Sequence, residues 1–473
     1  MPARPARHHR VLPFVLAALV IVAACASPGP RPSPAASPSG EILVGAVFPL
    51  DGNAGGLAKE ELSGVQAAVD FVNADGGIDG RRIVLDVRDL ERGADAPAVM
   101  AGLKSAGVSV VIGAYSSDLS IPASQAASDA GLVYWEAGAV ADRLTGRGLP
   151  LVFRVGASGT NLGSNSAEFA ASELAPRLGR SPSKLRVAIV AANDDYARSV
   201  ADAAATAAKA AGTPVVDRAT YDLTVPDWPA VMNGLRSARP DVIILASHIP
   251  DGVAFRRAML AANVRVGALI GSTMAECDPD FAGDLGTDAV GVFASDRPTG
   301  GFQPSALDPA ARAVYERFAA AWAARSSGAP GSAAPGSAAP GYPAPGYPAP
   351  AESPAEYTIT GPVEAGSAAA GPSEEGLSGF AAAWALFHDV LPVAAGSGSL
   401  AAGGVAAAAR SIDLPTGSLP NGAGLRFSED PATLGQNERA AAVIWQWQAV
   451  RSYTFVWPPT YRTGEIDLVP LDR

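Results

Sequence analysis

From Glu41 onward the chain alternates short aliphatic runs with stretches whose apolar residues recur every three or four positions, and this alternation restricts the fold more than any other feature. Ile42 to Phe48 is a continuous apolar run of strand length, and Glu60 to Asn73 places Leu62, Val65, Val69 and Val72 on one helical face. The same reading predicts strands at Arg82–Val87, Val108–Ala114, Leu132–Trp135, Leu151–Val155, Leu185–Ala191, Val242–Ala246, Val266–Ile270 and Val290–Ala294. Between many of them it predicts helices, at Asp95–Ser105, Ile121–Ala130, Asn165–Leu178, Tyr196–Ala211, Trp228–Ser237 and Gly252–Ala262. Near-continuous Val, Ile and Leu runs separated by amphipathic helices call for parallel sheets covered on both faces, an α/β fold. At 473 residues the chain exceeds the usual size of one domain, about 100 to 200 residues, so two lobes are expected.

Two stretches stand outside the alternation. Ser326 to Glu375 carries imperfect pentapeptides, Gly-Ser-Ala-Ala-Pro and Gly-Tyr-Pro-Ala-Pro, with too little apolar content for a core, and reads as a disordered surface insertion. It lies between helices predicted at Ala310–Arg325 and Leu377–Leu391; its Tyr342 and Tyr347 read as tolerated low complexity rather than partner ligands. After Leu391 the chain is Ala- and Gly-rich as far as Asn421-Gly422. It then ends in two alternating segments, Val443–Ala449 and Ser452–Trp457, that predict a hairpin whose turn lacks the usual Gly or Asn.

The first residues read as an address. Arg4, Arg7 and Arg10 precede Val11 to Ala24, apolar apart from Pro13 and shorter than a membrane span of about 20 residues. The run closes on Val22-Ala23-Ala24-Cys25, which resembles the lipobox of bacterial lipoproteins. That resemblance implies a signal peptide over residues 1–24, a diacylated Cys25 as mature N-terminus, and an extracytoplasmic chain anchored to the cell membrane. Residues 25–40, with five Pro and four Ser after Cys25, read as a flexible tether. With Cys25 so used, Cys277 has no disulfide partner and reads as a small packed residue. The net charge of −11 argues against nucleic acid, whose binding needs clustered Lys and Arg.

Several local patterns together resemble type I periplasmic binding proteins, in particular the branched-chain amino-acid-binding (leucine-binding protein-like) branch of ABC-importer receptors. They are Gly45-Ala46-Val47-Phe48-Pro49-Leu50, Ser63-Gly64-Val65-Gln66-Ala67-Ala68-Val69, Asn73-Ala74-Asp75-Gly76-Gly77-Ile78-Asp79-Gly80 and Val111-Ile112-Gly113-Ala114-Tyr115-Ser116-Ser117. Leu144-Thr145-Gly146-Arg147-Gly148, Asn421-Gly422-Ala423-Gly424-Leu425-Arg426-Phe427 and Gln446-Trp447-Gln448 continue the agreement. The resemblance spans nearly all of Glu41 to Pro459 apart from the insertion. It implies two doubly wound lobes joined by a three-strand hinge, with crossings near Arg154–Gly159, Ser295–Pro298 and Asn437–Ala442. Lobe 1 would comprise 41–156 plus 296–440, including the insertion at 326–375, and lobe 2 would comprise 157–295 plus 441–473. The implied function is capture of a small polar or carboxylate-bearing solute between the lobes of a monomer, for delivery to the permease and ATPase subunits of an ABC transporter. A ligand-sensing receptor module signalling to a membrane partner is the alternative.

In open α/β sheets ligands sit beyond the carboxyl ends of the strands. Ser116 and Ser117 occupy such an end, ahead of a helix for which Ser120 is a candidate cap and Pro122 suits the first turn. Ser117 matches the family serine that contacts a ligand carboxylate. The next strand end, Glu136-Ala137-Gly138-Ala139-Val140, matches the loop whose backbone N–H groups complete that contact, through Gly138 and Ala139 here. Val140 stands where amino-acid-binding members have a hydroxyl residue, and Glu136 is an unusual neighbour for an anion. Trp135 suits pocket or core equally. From the second lobe, Tyr196 matches an aromatic position at the cleft, His248 falls where relatives place a Tyr, and Thr273 replaces the Glu that pairs with an α-ammonium. Glu276 or Glu136 could compensate only from a shifted position. Together with Leu57, these departures make a non-amino-acid solute the more economical expectation. Catalysis is not expected. No Gly-x-Ser-x-Gly surrounds Ser116 or Ser117, and beyond the leader only His248 and His388 remain, so no cofactor or metal site is read.

Overall fold

The computed structural model describes residues 40–52, 55–273, 279–326, 371–450, 452–469 and 471. The leader, Cys25, the tether before Gly40, Glu276, Cys277, the bulk of the insertion with Tyr342 and Tyr347, and Arg451 in the hairpin turn lie outside the described residues.

Two sheets organise the chain. The first contains β1 (Glu41–Phe48), β2 (Arg82–Asp89), β3 (Val110–Gly113), β4 (Val133–Glu136) and β5 (Val152–Arg154), all parallel, in the order β2-β1-β3-β4-β5. The second contains β6 (Val187–Ala192), β7 (Val215–Tyr221), β8 (Val242–Ala246), β9 (Ala268–Ser272), β10 (Phe293–Asp296), β11 (Val443–Ala449) and β12 (Ser452–Trp457). Its order is β12-β11-β10-β9-β8-β6-β7, and only β11 and β12 run antiparallel to their neighbours. The expected two-lobed α/β architecture is therefore present. Every residue of β3, β4, β8 and β9 is buried, which is why those strands read as unbroken aliphatic runs. The edge strands differ. β2 carries Asp86, Arg88 and Asp89, and β7 carries Asp217 and Arg218, charges that discourage pairing with a further chain.

The chain leaves the first sheet after β5 and enters the second through the helix Gly159–Phe169 and β6. It returns after β10, and it crosses again to reach β11. The first and third crossings are tied together. Arg154 N donates to Gly435 O at 2.9 Å, Asn437 N donates to Arg154 O at 2.9 Å, and Asn437 Nδ2 donates to Val155 O at 2.9 Å. Ser295, at the second crossing, donates to Leu162 O at 2.9 Å and accepts from Asn165 Nδ2 at 3.0 Å.

Between the second and third crossings, the helices Pro309–Ser326 and Glu374–Trp384 pack onto Gly55–Ala74 behind the first sheet. Backbones meet closely here: a Cβ at Gly64 would lie 2.1 Å from Gly376 O, and one at Gly379 would lie 2.1 Å from Glu61 O. Phe318 stacks on Phe380 with centroids 4.0 Å apart, Phe71 meets Phe380 edge-on, and the ring of Trp322 fills the space a Cβ on Gly376 would need. The helical stretch Glu374–Gly396 is long and apolar enough to cross a membrane, but 78% of that window is buried inside the fold, as in a core helix.

Four local expectations change. The helix predicted at Ile121–Ala130 begins at Ser117, so Ser120 is no cap: its hydroxyl is buried and accepts from Ala114 N at 3.0 Å. Pro122 consequently stands inside the helix rather than at its first position. The helix predicted from Asn165 begins at Gly159, because Ser158 and Asn161 form a reciprocal cap there. β7 and the helix Ala402–Ser411 are additional elements.

Candidate functional site

The carboxyl ends of β3 and β4 face those of β6, β8 and β9 across the interval between the lobes. Asp142, just past β4, accepts from Thr160 N at 3.0 Å, and its own N–H donates to Ser199 Oγ at 3.0 Å. Arg143 reaches Asp195 at 3.0 Å. Three contacts thus join the two carboxyl edges.

On the first side, Ser117 opens its helix, and its Oγ accepts from Val140 N at 3.3 Å and Ala141 N at 3.0 Å. Ser116 sits before it, half-buried, in extended backbone, while Tyr115 is forced to a φ of 76°. Glu136 is fully buried at the end of β4, and its Oε1 accepts from Gly138 N at 2.9 Å and Ala139 N at 2.8 Å. The two donors expected to meet a ligand carboxylate are therefore engaged by the chain's own carboxylate. Val140 is buried, as is Trp135, whose Nε1 donates to Ala382 O at 2.8 Å and whose ring meets Phe427 edge-on. Trp135 is thus core, the second of its two readings.

Two arginines hold the same loop by its carbonyls. Arg154, fully buried, donates through Nη1 to Val140 O at 2.8 Å and Ala141 O at 2.7 Å, and burial lowers its pKa to about 10. Arg297 donates to Gly138 O at 2.6 Å and pairs with Glu374. Burial works against the charge of Arg297, but Glu374, Asp296, Glu61 and Glu375 outweigh it and raise its pKa. Between Arg297, Gly156 and Ser378 lies a cavity of about 10 Å³, the room of a single water.

Glu61, on the helix Gly55–Ala74, completes this cluster. It is fully buried, neither carboxyl oxygen has a hydrogen-bond partner among the described residues, and a Cβ on Gly138 would meet its Oε2 at 2.1 Å. Burial first, and then the negative charge of Glu136, holds its carboxyl well above the usual carboxylate range.

On the second side, Tyr196 is buried, and its hydroxyl lies 2.5 Å from Ser272 O and 3.0 Å from Ser272 Oγ. Thr273 Oγ1 donates to the Tyr196 hydroxyl at 3.3 Å, from a residue held at a φ of 27°. His248 packs edge-on to Tyr196, with ring centroids 5.2 Å apart, and lies 3.6 Å from Asp194 and 3.9 Å from Asp251. Burial opposes protonation of His248. The carboxylates of Asp251, Asp194 and Asp118 outweigh burial and raise its pKa, and Asp118 belongs to the opposite lobe. Tyr196, His248 and Thr273 are thus brought together, as are Ser117, Glu136, Gly138, Ala139 and Val140. Glu61, Arg154, Arg297, Glu374 and Asp118 were not foreseen. Among the described residues no group of three or more His, Cys, Asp or Glu side chains is placed to hold a metal ion.

Residues 41–342 match the family model described as "Periplasmic binding protein", and this is most of the chain. The chain belongs to the periplasmic binding protein family. Among its relatives, the Leu/Ile/Val-binding protein homolog 8 of Brucella abortus is 28% identical over 410 residues, 86% of this chain and 88% of that protein. Two solved structures share the periplasmic binding protein fold. One is the branched-chain amino acid transporter substrate binding protein LivJ of Streptococcus pneumoniae in complex with isoleucine, with TM-score 0.62, 18% identity and coverage of 88% of this chain and 100% of that one. The other is an ABC transporter substrate-binding protein of Desulfitobacterium hafniense in complex with Leu, with TM-score 0.62, 20% identity and the same coverages. The family expected from the sequence is the one found, and it is a family of solute-binding proteins rather than an enzyme class.

Proposed function

We propose that the chain is the extracytoplasmic substrate-binding lipoprotein of an ABC importer, anchored through Cys25 and monomeric. It closes its lobes, 41–156 plus 296–440 and 157–295 plus 441–473, around a small polar solute and carries out no chemistry on it. The carrying observation is the apposition of the two strand-end clusters, Ser117 to Val140 on one side and Tyr196, His248 and Thr273 on the other, with Arg143 and Asp195 spanning them. A solute touching both clusters binds the closed arrangement better than the open one and shifts the hinge equilibrium by that difference alone. The closed form then presents a single surface to the permease.

The test is a thermal-shift screen of residues 41–473 against amino acids, amides, short-chain acids, amines and polyols. A solute at about a hundred times its Kd stabilises the folded form by about 2.7 kcal/mol and raises the midpoint accordingly. Silence across the screen contradicts solute binding. In the same assay Ser117→Ala should weaken binding while costing the unliganded protein no more than about 2 kcal/mol of stability, the loss of two weak hydrogen bonds.

A further inference from the structure

We propose, resting on the solute-binding reading above, that the solute of this cleft carries no carboxylate: Glu136 fills the carboxylate seat itself, and the site takes a neutral or cationic molecule presenting N–H or O–H donors. The observation is the state of the loop 137–141. Four successive backbone N–H groups, from Gly138 to Ala141, point their hydrogens at two side chains of this chain, Glu136 Oε1 and Ser117 Oγ. Adjacent N–H groups converging on one oxygen form an anion-binding concavity, and here a carboxyl oxygen of the chain itself occupies it. The carbonyls of the same residues are held from behind. Arg297 binds those of Ala137 and Gly138, and Arg154 binds those of Ala139, Val140 and Ala141, so the loop cannot swing round to offer its donors elsewhere without losing these bonds.

Displacing Glu136 to admit a ligand carboxylate is unfavourable for a second reason. Glu136 is fully buried, and the equally buried Glu61 carboxyl stands against Gly138 on the other side of the loop. A ligand carboxylate would be a third acidic group in a space where burial already pushes the Glu61 and Glu136 carboxyls up, so a further charge taken out of water there is unfavourable. What faces the opposite lobe from this loop and its helix is itself acceptor-rich. Asp118 stands exposed in the first turn beside Ser117. Across from it, Asp194 Oδ2 accepts no hydrogen bond among the described residues and lies 3.6 Å from His248 Nε2. Amine, amide and hydroxyl hydrogens find acceptors in such a cleft, where the cations Arg143 and His248 are already matched by Asp195, Asp194 and Asp251.

The experiment uses the full chain in detergent and two sets of probes. Titration calorimetry compares leucine with leucinamide, isoleucine with isoleucinamide, and propionate with propionamide, together with putrescine and glycerol. A separate thermal melt follows the parent and Glu136→Ala in rising acetate. The expected results are two: any probe that binds the parent lacks a carboxylate and binds at least tenfold more tightly than its acid counterpart, and acetate raises the midpoint of Glu136→Ala but not of the parent. A carboxylate probe that binds the parent more tightly than its amide overturns the proposal, and so does acetate acting equally on both proteins. Silence of every calorimetric probe on the parent, with acetate rescue of Glu136→Ala intact, removes the solute-binding reading while leaving the filled seat in place. If Glu136→Ala is recovered only by refolding, its yield must rise with acetate, and a yield indifferent to acetate overturns the seat.

Discussion

Replacing Glu61 by Gln tests the electrostatics of the loop most directly, because it removes a proton equilibrium and little else. Glu61 is fully buried, neither oxygen has a hydrogen-bond partner among the described residues, and Glu136 and Glu374 add negative potential that Arg297 only partly offsets. Its folded-state pKa is therefore raised. The sign follows from proton counting. Above the ordinary carboxylate range the unfolded chain has released this proton while the folded chain retains it, so unfolding releases a proton and stability falls as pH rises. The stabilisation is complete on the acid side and is lost progressively towards the raised pKa. One proton sets the limit of the slope at about 1.4 kcal/mol per pH unit. Glu61→Gln has no such proton and should lack that share of the slope, so the variant should gain on the parent as pH rises. Urea unfolding of both proteins at a series of pH values between about 5 and 8 gives the difference directly. A difference that stays constant over the whole range would refute the account, since it would mean that Glu61 ionises in the fold as easily as in water.

Three further outcomes are expected. Asp118→Asn should lower the pKa of His248, read from its imidazole resonances by NMR. Because the His248 pKa is raised in the fold, its contribution is full on the acid side and fades as pH rises through that pKa, so an unshifted His248 would mean that the two lobes do not approach as described. Gly64→Ala should destabilise the first lobe by about 1–3 kcal/mol in chemical denaturation, because the new methyl would stand 2.1 Å from Gly376 O; an unchanged midpoint would argue against that helix contact. Arg154→Met should cost roughly 3 kcal/mol or more, since it strips donors from three carbonyls at once, and a loss below about 1 kcal/mol would show that water replaces them.

Much of the framework was readable before any coordinates, and the reasons lie in particular residues. β8 is Val-Ile-Ile-Leu-Ala with every residue buried, so composition alone declares it. β7 escaped because it is an edge strand: Asp217 and Arg218 break the aliphatic signature that a central strand displays. The helix Ala402–Ser411 escaped because Ala and Gly carry almost no periodic contrast, although Val405, Ala406 and Ala409 form its buried side. Within the site, position was legible and partnership was not. Ser117 follows a strand, as anticipated, but its acceptor role depends on a loop more than twenty residues away folding back over it. Glu136 stood out as odd in a loop expected to face an anion, yet only the turn geometry shows that its own carboxyl takes the loop's donors. Glu61 had a signal that went unused: with Ala58, Leu62 and Val65 it lies on the buried stripe of an amphipathic helix, where an acid is out of place. Its neighbours Glu136, Arg297 and Glu374 come from three separate parts of the chain, the end of β4, the second crossing and the start of the helix Glu374–Trp384, a convergence that no local pattern records.

The contact of Trp322 with Gly376 bears on the history of the molecule. The helix that leads into residues 327–370 and the helix that follows them lie side by side, held by Trp322 against Gly376 and by Phe318 on Phe380. Whatever the length of chain between those helices, it starts and finishes on two helices that lie side by side, and closing a longer loop adds only about 0.6 kcal/mol for each doubling. Copying errors that lengthen or shorten the Pro-Ala-Gly repeats are therefore nearly invisible to stability. The junction is a port at which sequence can be gained or lost while the cleft is left alone, and the same port is where a fluorophore or affinity tag can be inserted without disturbing the hinge.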